Sequence, residues 1–160
     1  MTTPPGKLEY PPLLPVGFHQ MTVDQVRDLC VTKFPLSKNR PAIMDNLEHI
    51  IDSLSLAGVA ADVWVDGSFL TEKIEPEDSD IVVCIQHHVY ENGTSQQRGV
   101  INWINSNLKT TRLCDSYVYV EYPPGHPLHA IGEWMRAYWI RQFGFSRGDE
   151  FKGLALIRIS

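Results

Sequence analysis

The sequence predicts an α/β (α+β) fold in which a small mixed β-sheet is flanked by helices. Short runs rich in β-branched and aromatic residues alternate along the chain with longer runs whose apolar residues recur at helical spacing. Their order is helix, helix, strand, turn, strand, helix, strand, helix, strand, which is typical of a mixed sheet covered by helices. The 160 residues, 43% of them apolar, are enough for one domain with its own core.

The N-terminal segment, residues 1–21, is predicted to be an extended, proline-rich arm. Its prolines are Pro4, Pro5, Pro11, Pro12 and Pro15. The apolar residues near its end are expected to fix it to the core, and they are Leu13, Leu14, Val16 and Phe18. The remaining residues, 22–160, form a single predicted domain.

Four helices are predicted from capping signals and apolar spacing. Thr22 and Gln25 form a capping-box pattern before a short helix over 23–31. Pro41 suits the first turn of a longer helix over 41–57, whose apolar stripe indicates core packing. Two more helices are expected at 95–107 and 128–143.

The predicted strands are 63–66, 80–85, 113–122 and 153–160, all rich in β-branched or aromatic residues. The segment 87–93 is predicted to be a turn.

Composition narrows the class of protein. A net charge of −5 argues against general affinity for a nucleic-acid backbone. Cys30, Cys84 and Cys114 are too widely spaced for a disulfide framework or a zinc site, and Cys84 and Cys114 are expected to be buried. We therefore expect a cytoplasmic protein without a signal peptide, and the lack of a long apolar run predicts no membrane span.

The most informative segment runs from Trp64 to Ile85. A short apolar strand leads into Gly67-Ser68, a polar loop follows, and a second strand opens with Asp78 and Asp80. Residues two apart on a strand share a face, so these two carboxylates are expected to lie side by side. Such a pair favours a hard cation such as Mg²⁺, and the Gly-Ser turn offers backbone N–H groups for a phosphate. The alternative is an ordinary solvated acidic turn.

At these residues the chain resembles the nucleotidyltransferase superfamily of DNA polymerase β, whose signature is Gly-Ser, a loop of roughly ten residues and an Asp-x-Asp strand. Over a wider span it resembles a small bacterial family of nucleotidyltransferase-like proteins of unknown function. The resemblance implies a nucleotidyltransferase-like domain that uses Mg²⁺ or Mn²⁺ and an NTP. It implies that Asp78 and Asp80 bind metal and that Gly67 and Ser68 hold the triphosphate. Lys73, in the intervening loop, is a candidate phosphate contact.

The resemblance also implies a third carboxylate on a later strand. Asp115 and Glu121 both lie on the predicted strand 113–122. Asp115 is favoured because the family places this acid early in its strand, and Glu121 is the alternative.

Other residues have competing interpretations. His87 and His88 favour an exposed turn over a metal pair, and His126 and His129 favour packing at a helix start over contact with the acidic site. Trp134, Tyr138 and Trp139 favour core packing over a base-stacking surface. The basic residues that accompany them are Arg136, Arg141, Arg147, Lys152 and Arg158.

Two functions therefore compete. The first is a Mg²⁺-dependent enzyme that transfers a nucleoside monophosphate from an NTP to a protein, nucleic-acid or small-molecule acceptor, with a homodimer or partner chain completing the site. The second is a catalytically weak or inactive nucleotide- or protein-binding module, of an antitoxin-like or regulatory kind. The second is favoured by Phe69-Leu70 standing where many relatives have Arg-Gly.

Overall fold

The structure is a computed structural model that describes residues 9–145, 148 and 150–160. In this part of the chain, five strands form one sheet in the order β1-β5-β2-β3-β4. The strands are β1 (Gly17–Gln20), β2 (Ala61–Asp66), β3 (Ser79–Gln86), β4 (Cys114–Glu121) and β5 (Gly153–Ile159). The outer pairs, β1 with β5 and β3 with β4, are parallel, whereas β2 runs antiparallel to both its neighbours. The predicted mixed sheet is confirmed.

The helices follow the predicted order, with additions. They are α1 (Val23–Arg27), which continues as a π-helical turn over Asp28–Thr32, α2 (Asn39–Leu56), α3 (His87–Asn92), α4 (Ser95–Asn105), α5 (Lys109–Arg112) and α6 (His129–Phe143). The predicted capping box of Thr22 and Gln25 is present at the start of α1. In the described part of the chain, no helix is long and apolar enough to cross a membrane.

The two faces of the sheet carry different layers. Alternate residues of β3, such as Ile81 and Val83, belong to the larger core on the face that α2 covers, as the apolar stripe of α2 predicts. The residues between them, such as Val82, face a smaller cluster that contains Trp139 and Phe143 of α6. We call this second side the α6 face.

Some local predictions need correction. The segment predicted as a turn at 87–93 is mostly helix α3, because Val89 buries its side chain in the core and tertiary packing stabilises a helix this short. The last residues of the predicted arm form β1, which pairs in parallel with β5. Leu13 packs on the core as expected, but Val16 is 62% exposed.

The remaining arm residues and the cysteines largely follow expectation. Leu14 also packs on the core, and the ring of Phe18 lies edge-on to Trp64 at 4.9 Å between centroids. The three cysteines are buried and free, which confirms the expectation for Cys84 and Cys114.

Candidate functional site

Carboxylates of three neighbouring strands form a row at one end of the sheet. Asp66 of β2 pairs with Asp80 of β3, and Asp80 pairs with Asp115 of β4. Directly paired residues project to the same face, here the α6 face. Asp78 precedes β3 by one residue, and its charge acts on that of Asp80. The structure therefore brings the predicted Asp78, Asp80 and Asp115 into one neighbourhood and adds Asp66, which was not predicted.

The carboxylate row is electrostatically strained. Burial, together with the nearby charges of Asp78 and Asp115, raises the pKa of Asp80 to about 6. Burial also raises the pKa of Asp78, although Lys109, whose Nζ lies 3.8 Å from its Oδ2, opposes the shift. A site that disfavours its own negative charges gains from a bound cation, because the cation removes the repulsion.

Asp66 is stabilised by a cation next to β5, the strand that pairs with β2 on the edge away from β3. Lys152, directly before β5, places its Nζ 2.7 Å from Oδ2 of Asp66, and the Asp66 side chain is only 5% exposed. Burial raises the pKa of Asp66 to about 7, against the opposing effects of Lys152 and of a hydrogen bond from the Gly67 backbone. The sequence signal for Asp66 is its position at the end of a strand immediately before Gly-Ser.

Of the two candidates for the third acid, only Asp115 lies beside Asp80. Asn107 Nδ2 donates a hydrogen bond of 2.5 Å to Oδ1 of Asp115. Glu121 lies six residues further along β4 and accepts a hydrogen bond of 2.9 Å from Gln86 Nε2. At about 3.3 Å per residue, Glu121 is roughly 20 Å from Asp115 along the strand. The geometry therefore favours Asp115.

The Gly-Ser turn lies directly against the carboxylate row. Gly67 has φ +86°, and a Cβ at this position would lie 2.8 Å from Oδ2 of Asp80. Ser68 begins a short 3-10 turn, Ser68–Leu70, that is anchored by the fully buried Phe69 and Leu70. Phe69 and Leu70 therefore fix the turn to the core. Only glycine allows the backbone to come this close to Asp80.

The loop between the turn and Asp78 is held by a buried arginine. The guanidinium of Arg40, at the start of α2, donates hydrogen bonds to the backbone carbonyls of Phe69 (2.7 Å), Thr71 (2.7 Å) and Lys73. It also donates to the carbonyl of Cys30 at 2.8 Å. Arg40 is completely buried and escaped prediction, because an arginine at a helix start is ordinarily exposed.

Glu75 completes the attachment of this loop to α2. Its carboxylate accepts hydrogen bonds from Ser37 Oγ and from the backbone N–H groups of Lys38 (2.8 Å) and Asn39 (3.3 Å). It thereby caps the first turn of α2, where backbone donors lack helical partners.

The ammonium of Lys73 faces the N-terminal segment. Its Nζ lies 5.9 Å from the centre of the Tyr10 ring, on the side of the N-terminal segment. The cations with the largest effects on the pKa of Asp80 are Lys152 and Lys109.

The histidines that follow β4 lie at the opposite end of the sheet. β4 begins at the Asp115 end and finishes with Glu121, and His129 then places Nδ1 2.8 Å from the carbonyl oxygen of Tyr122. The favoured interpretation of helix-start packing is therefore confirmed for His129, and contact with the acidic site is wrong.

The predicted aromatic stripe of α6 divides between core and surface. Trp139 is buried, as the core interpretation requires. Trp134 is 64% exposed and Tyr138 is 41% exposed, and their rings stack at 5.9 Å with an interplanar angle of 15°. The core interpretation is therefore wrong for these two residues. Arg147 of the predicted basic group lies outside the described residues.

The arrangement offers hard oxygen ligands beside a half-buried Gly-Ser turn, a combination suited to a divalent cation and a phosphate. No curated protein and no solved structure matches the chain. One family model does match, over residues 7–158, nearly the full length. The chain therefore belongs to the family of unknown function DUF6932.

Proposed function

We propose that the chain is a nucleotidyltransferase-like protein that uses Mg²⁺ or Mn²⁺ to transfer a nucleoside monophosphate from an NTP to an acceptor. One observation supports this most strongly: Asp80 pairs with Asp115 across two parallel strands while Gly67 lies against the Asp80 carboxylate. This is the relationship that the resemblance to the polymerase β superfamily implies.

Each residue of the site has a role in this proposal. Asp78, Asp80 and Asp115 supply carboxylate oxygens for metal ions, and their raised negative charge density favours divalent over monovalent cations. The Gly67-Ser68 turn would hold the triphosphate through the Ser68 backbone N–H and hydroxyl, because the Gly67 N–H already bonds Asp66. Bound Mg²⁺ would polarise the α-phosphate and stabilise the charge of the leaving group.

The transfer is a simple displacement. An acceptor hydroxyl oxygen forms a bond to the α-phosphorus and loses its proton to solvent or a nearby base. The bond between the α-phosphorus and the bridging oxygen breaks, and pyrophosphate leaves. Protein, nucleic acid and small molecules all carry suitable hydroxyls, and a homodimer or a partner chain would complete the acceptor pocket. The free, buried cysteines support a reducing, cytoplasmic setting.

A second candidate is a binding module that holds a nucleotide or a protein without turnover, as a regulatory or antitoxin-like subunit would. Two observations favour it. Lys109 and Lys152 already partly neutralise the carboxylate row. Among the described residues, the aspartates also do not form a group with three ligand atoms all within 4.8 Å of one another.

A transfer assay separates these candidates. The protein is incubated with Mg²⁺ or Mn²⁺ and each of the four NTPs labelled at the α-phosphate, and pyrophosphate release and labelled products are measured. The double variant Asp78→Asn, Asp80→Asn should transfer the label at least 100-fold more slowly than the wild-type protein. The matched control, Glu72→Gln with Glu77→Gln, removes two exposed charges from the same loop and should stay within about twofold.

Calorimetric titration with the same NTPs completes the test. Metal-dependent NTP binding without product in any reaction would support the binding module. Wild-type protein that neither binds NTP nor transfers label would contradict both candidates.

A further inference from the structure

We propose that His87, Glu91 and His126 form a second metal site, for a transition-metal ion such as Zn²⁺, at the end of the sheet opposite the carboxylate row. One ligand atom from each of these residues lies within 4.8 Å of the others. His87 lies seven positions after Asp80 along an extended strand, which corresponds to roughly 23 Å. The two sites are therefore distinct, and this inference does not depend on the proposed function.

The fold brings the three residues together from two parallel strands. Gln86 at the end of β3 pairs with Glu121 at the end of β4, so the chain leaves both strands at the same edge. His87 begins α3 directly after β3, and Glu91 lies one helical turn later on the same side. His126 belongs to the turn after β4, where its backbone N–H donates to the carbonyl of Pro123 at 3.0 Å.

The geometry is close to that of a metal site. His126 Nε2 lies 3.1 Å from Glu91 Oε1, and the rings of His87 and His126 are 5.2 Å apart between centroids. Ligands about 2.1 Å from a tetrahedral Zn²⁺ are separated by roughly 3.4 Å, so small side-chain rotations would complete the site. The side chains of His126 and Glu91 are 18% and 36% exposed, which leaves an ion a route from solvent.

His87 supplies an independent indication. In the described structure its Nδ1 is buried without a hydrogen-bond partner. Buried polar atoms are ordinarily paired, and an unpaired one calls for an explanation such as an absent water or ion. Coordination of a metal ion by the His87 ring would offset the cost of burying this unpaired nitrogen.

The donor set also indicates the kind of ion. Two imidazoles and one carboxylate suit Zn²⁺ and its neighbours among the transition metals, whereas Mg²⁺ prefers oxygen ligands alone. Three protein ligands leave the fourth tetrahedral position for water or another group. The bound ion would fasten α3 to the turn that leads into α6.

One hydrogen bond must change when the metal binds. The Leu128 N–H donates to Nδ1 of His126 at 3.0 Å, so the neutral ring carries its proton on Nε2, towards Glu91. Coordination through Nε2 moves the ring proton to Nδ1 and displaces the Leu128 N–H. Losing one neutral hydrogen bond lowers affinity by about tenfold at most, far less than three ligands contribute. The Leu128 amide should therefore shift in NMR spectra on metal binding.

The test is a Zn²⁺ titration of the full chain against a chromophoric chelator, with Co²⁺ absorption reporting the coordination geometry. Wild-type protein and the variant Asp78→Asn, Asp80→Asn should each bind one equivalent tightly, with the intense visible absorption of tetrahedral Co²⁺. His87→Gln and His126→Gln should each weaken binding at least 30-fold. The matched control is His88→Gln, which removes an exposed neighbouring histidine and should change affinity less than threefold.

Circular dichroism checks that each variant remains folded. Glu91→Gln provides a third variant, whose substitution alters the side chain less. The proposal is overturned if wild-type protein cannot compete with the chelator. It is equally overturned if folded His87→Gln and His126→Gln proteins bind Zn²⁺ as tightly as His88→Gln does.

Discussion

The α-carbon of Gly67 faces the carboxylate of Asp80 so closely that a Cβ on Gly67 would lie 2.8 Å from Oδ2 and 3.0 Å from Cγ. Gly67 also has φ +86°, a conformation that other residues adopt only with strain. The turn and the central carboxylate of the site are thus a single packed unit.

Gly67→Ala should therefore lower the free energy of unfolding by about 3 kcal/mol, from backbone strain together with displacement of Asp80. The matched control is Gly125→Ala, since Gly125 has φ +92° but open space where its Cβ would be. The control has the backbone strain without the clash, so its free energy of unfolding should fall by about 1–2 kcal/mol. Equal losses in urea denaturation would show that the contact with Asp80 is unimportant.

Asp80→Asn should stabilise the fold at pH 7.5 while it impairs the site. The pKa of Asp80 is raised to about 6, so the folded protein disfavours the charged form, and a neutral isostere avoids a cost of up to about 3 kcal/mol. The gain should fade as the pH falls through 6 towards 4, because the wild-type side chain then becomes neutral as well. Thermal unfolding across this pH range measures the effect. Asp52→Asn, on the exposed side of α2, should show no such pH-dependent gain.

Divalent cations should stabilise the wild-type protein in a pH-dependent way. At ten times its dissociation constant, Mg²⁺ or Mn²⁺ adds about 1.4 kcal/mol, or roughly 3–5 °C in the unfolding temperature. At pH 5 the increment should largely vanish, because Asp80, with its pKa of about 6, is then mostly protonated. Differential scanning fluorimetry provides the measurement. An equal increment in the Asp78→Asn, Asp80→Asn variant would place the cation elsewhere.

Lys152→Met should expose the dependence of Asp66 on its partner. Without the Lys152 ammonium, the pKa of Asp66 rises above its present value of about 7. At pH 8 the free energy of unfolding of the variant should fall by about 3 kcal/mol. The buried Asp66 carboxylate is then either unpaired or must take up a proton. At pH 5 the loss should be smaller by about half or more, because the carboxyl group is then neutral in the folded protein.

The control for this change is Lys109→Met, which removes a more exposed ammonium 3.8 Å from Asp78 and should cost under about 1 kcal/mol. A loss for Lys152→Met that is the same at both pH values would mean that Lys152 acts through packing alone.

Arg40→Lys should destabilise the protein although the charge is kept. Lysine cannot reproduce the planar fork that serves four backbone carbonyls, so some buried acceptors lose their donors. We expect a loss of about 3 kcal/mol in urea denaturation. Arg98→Lys, on the exposed surface of α4, should change stability by less than about 0.5 kcal/mol. A loss below 1 kcal/mol for Arg40→Lys would show that water readily replaces the guanidinium.

Local pattern was sufficient to predict much of this fold and part of the site. The period of two along a strand predicts that alternate residues such as Asp78 and Asp80 share a face. The parallel register of β3 and β4 then brings Asp80 to Asp115. Capping and apolar spacing also located α2 and α6 to within two residues at each end.

The rest depends on long-range contacts that no local pattern contains. Lys152 contacts Asp66 only because β5 pairs with β2. Predicting this contact therefore requires knowledge of the order of strands in the sheet. Arg40 is buried only because the loop carbonyls converge on it from residues about 30 positions away. Helix α3 is too short for its own propensity to be decisive, and its packing against the core determines its conformation.

The position of β5 in the sheet also bears on how the protein assembles during synthesis. Of the five described strands, the last to leave the ribosome is an interior one, inserted between β1 and β2. Until residues 153–159 have emerged, β2 has an unpaired edge, β1 has no partner strand and Asp66 lacks its ammonium. The open edge of β2 must therefore be kept from pairing with other chains until β5 emerges.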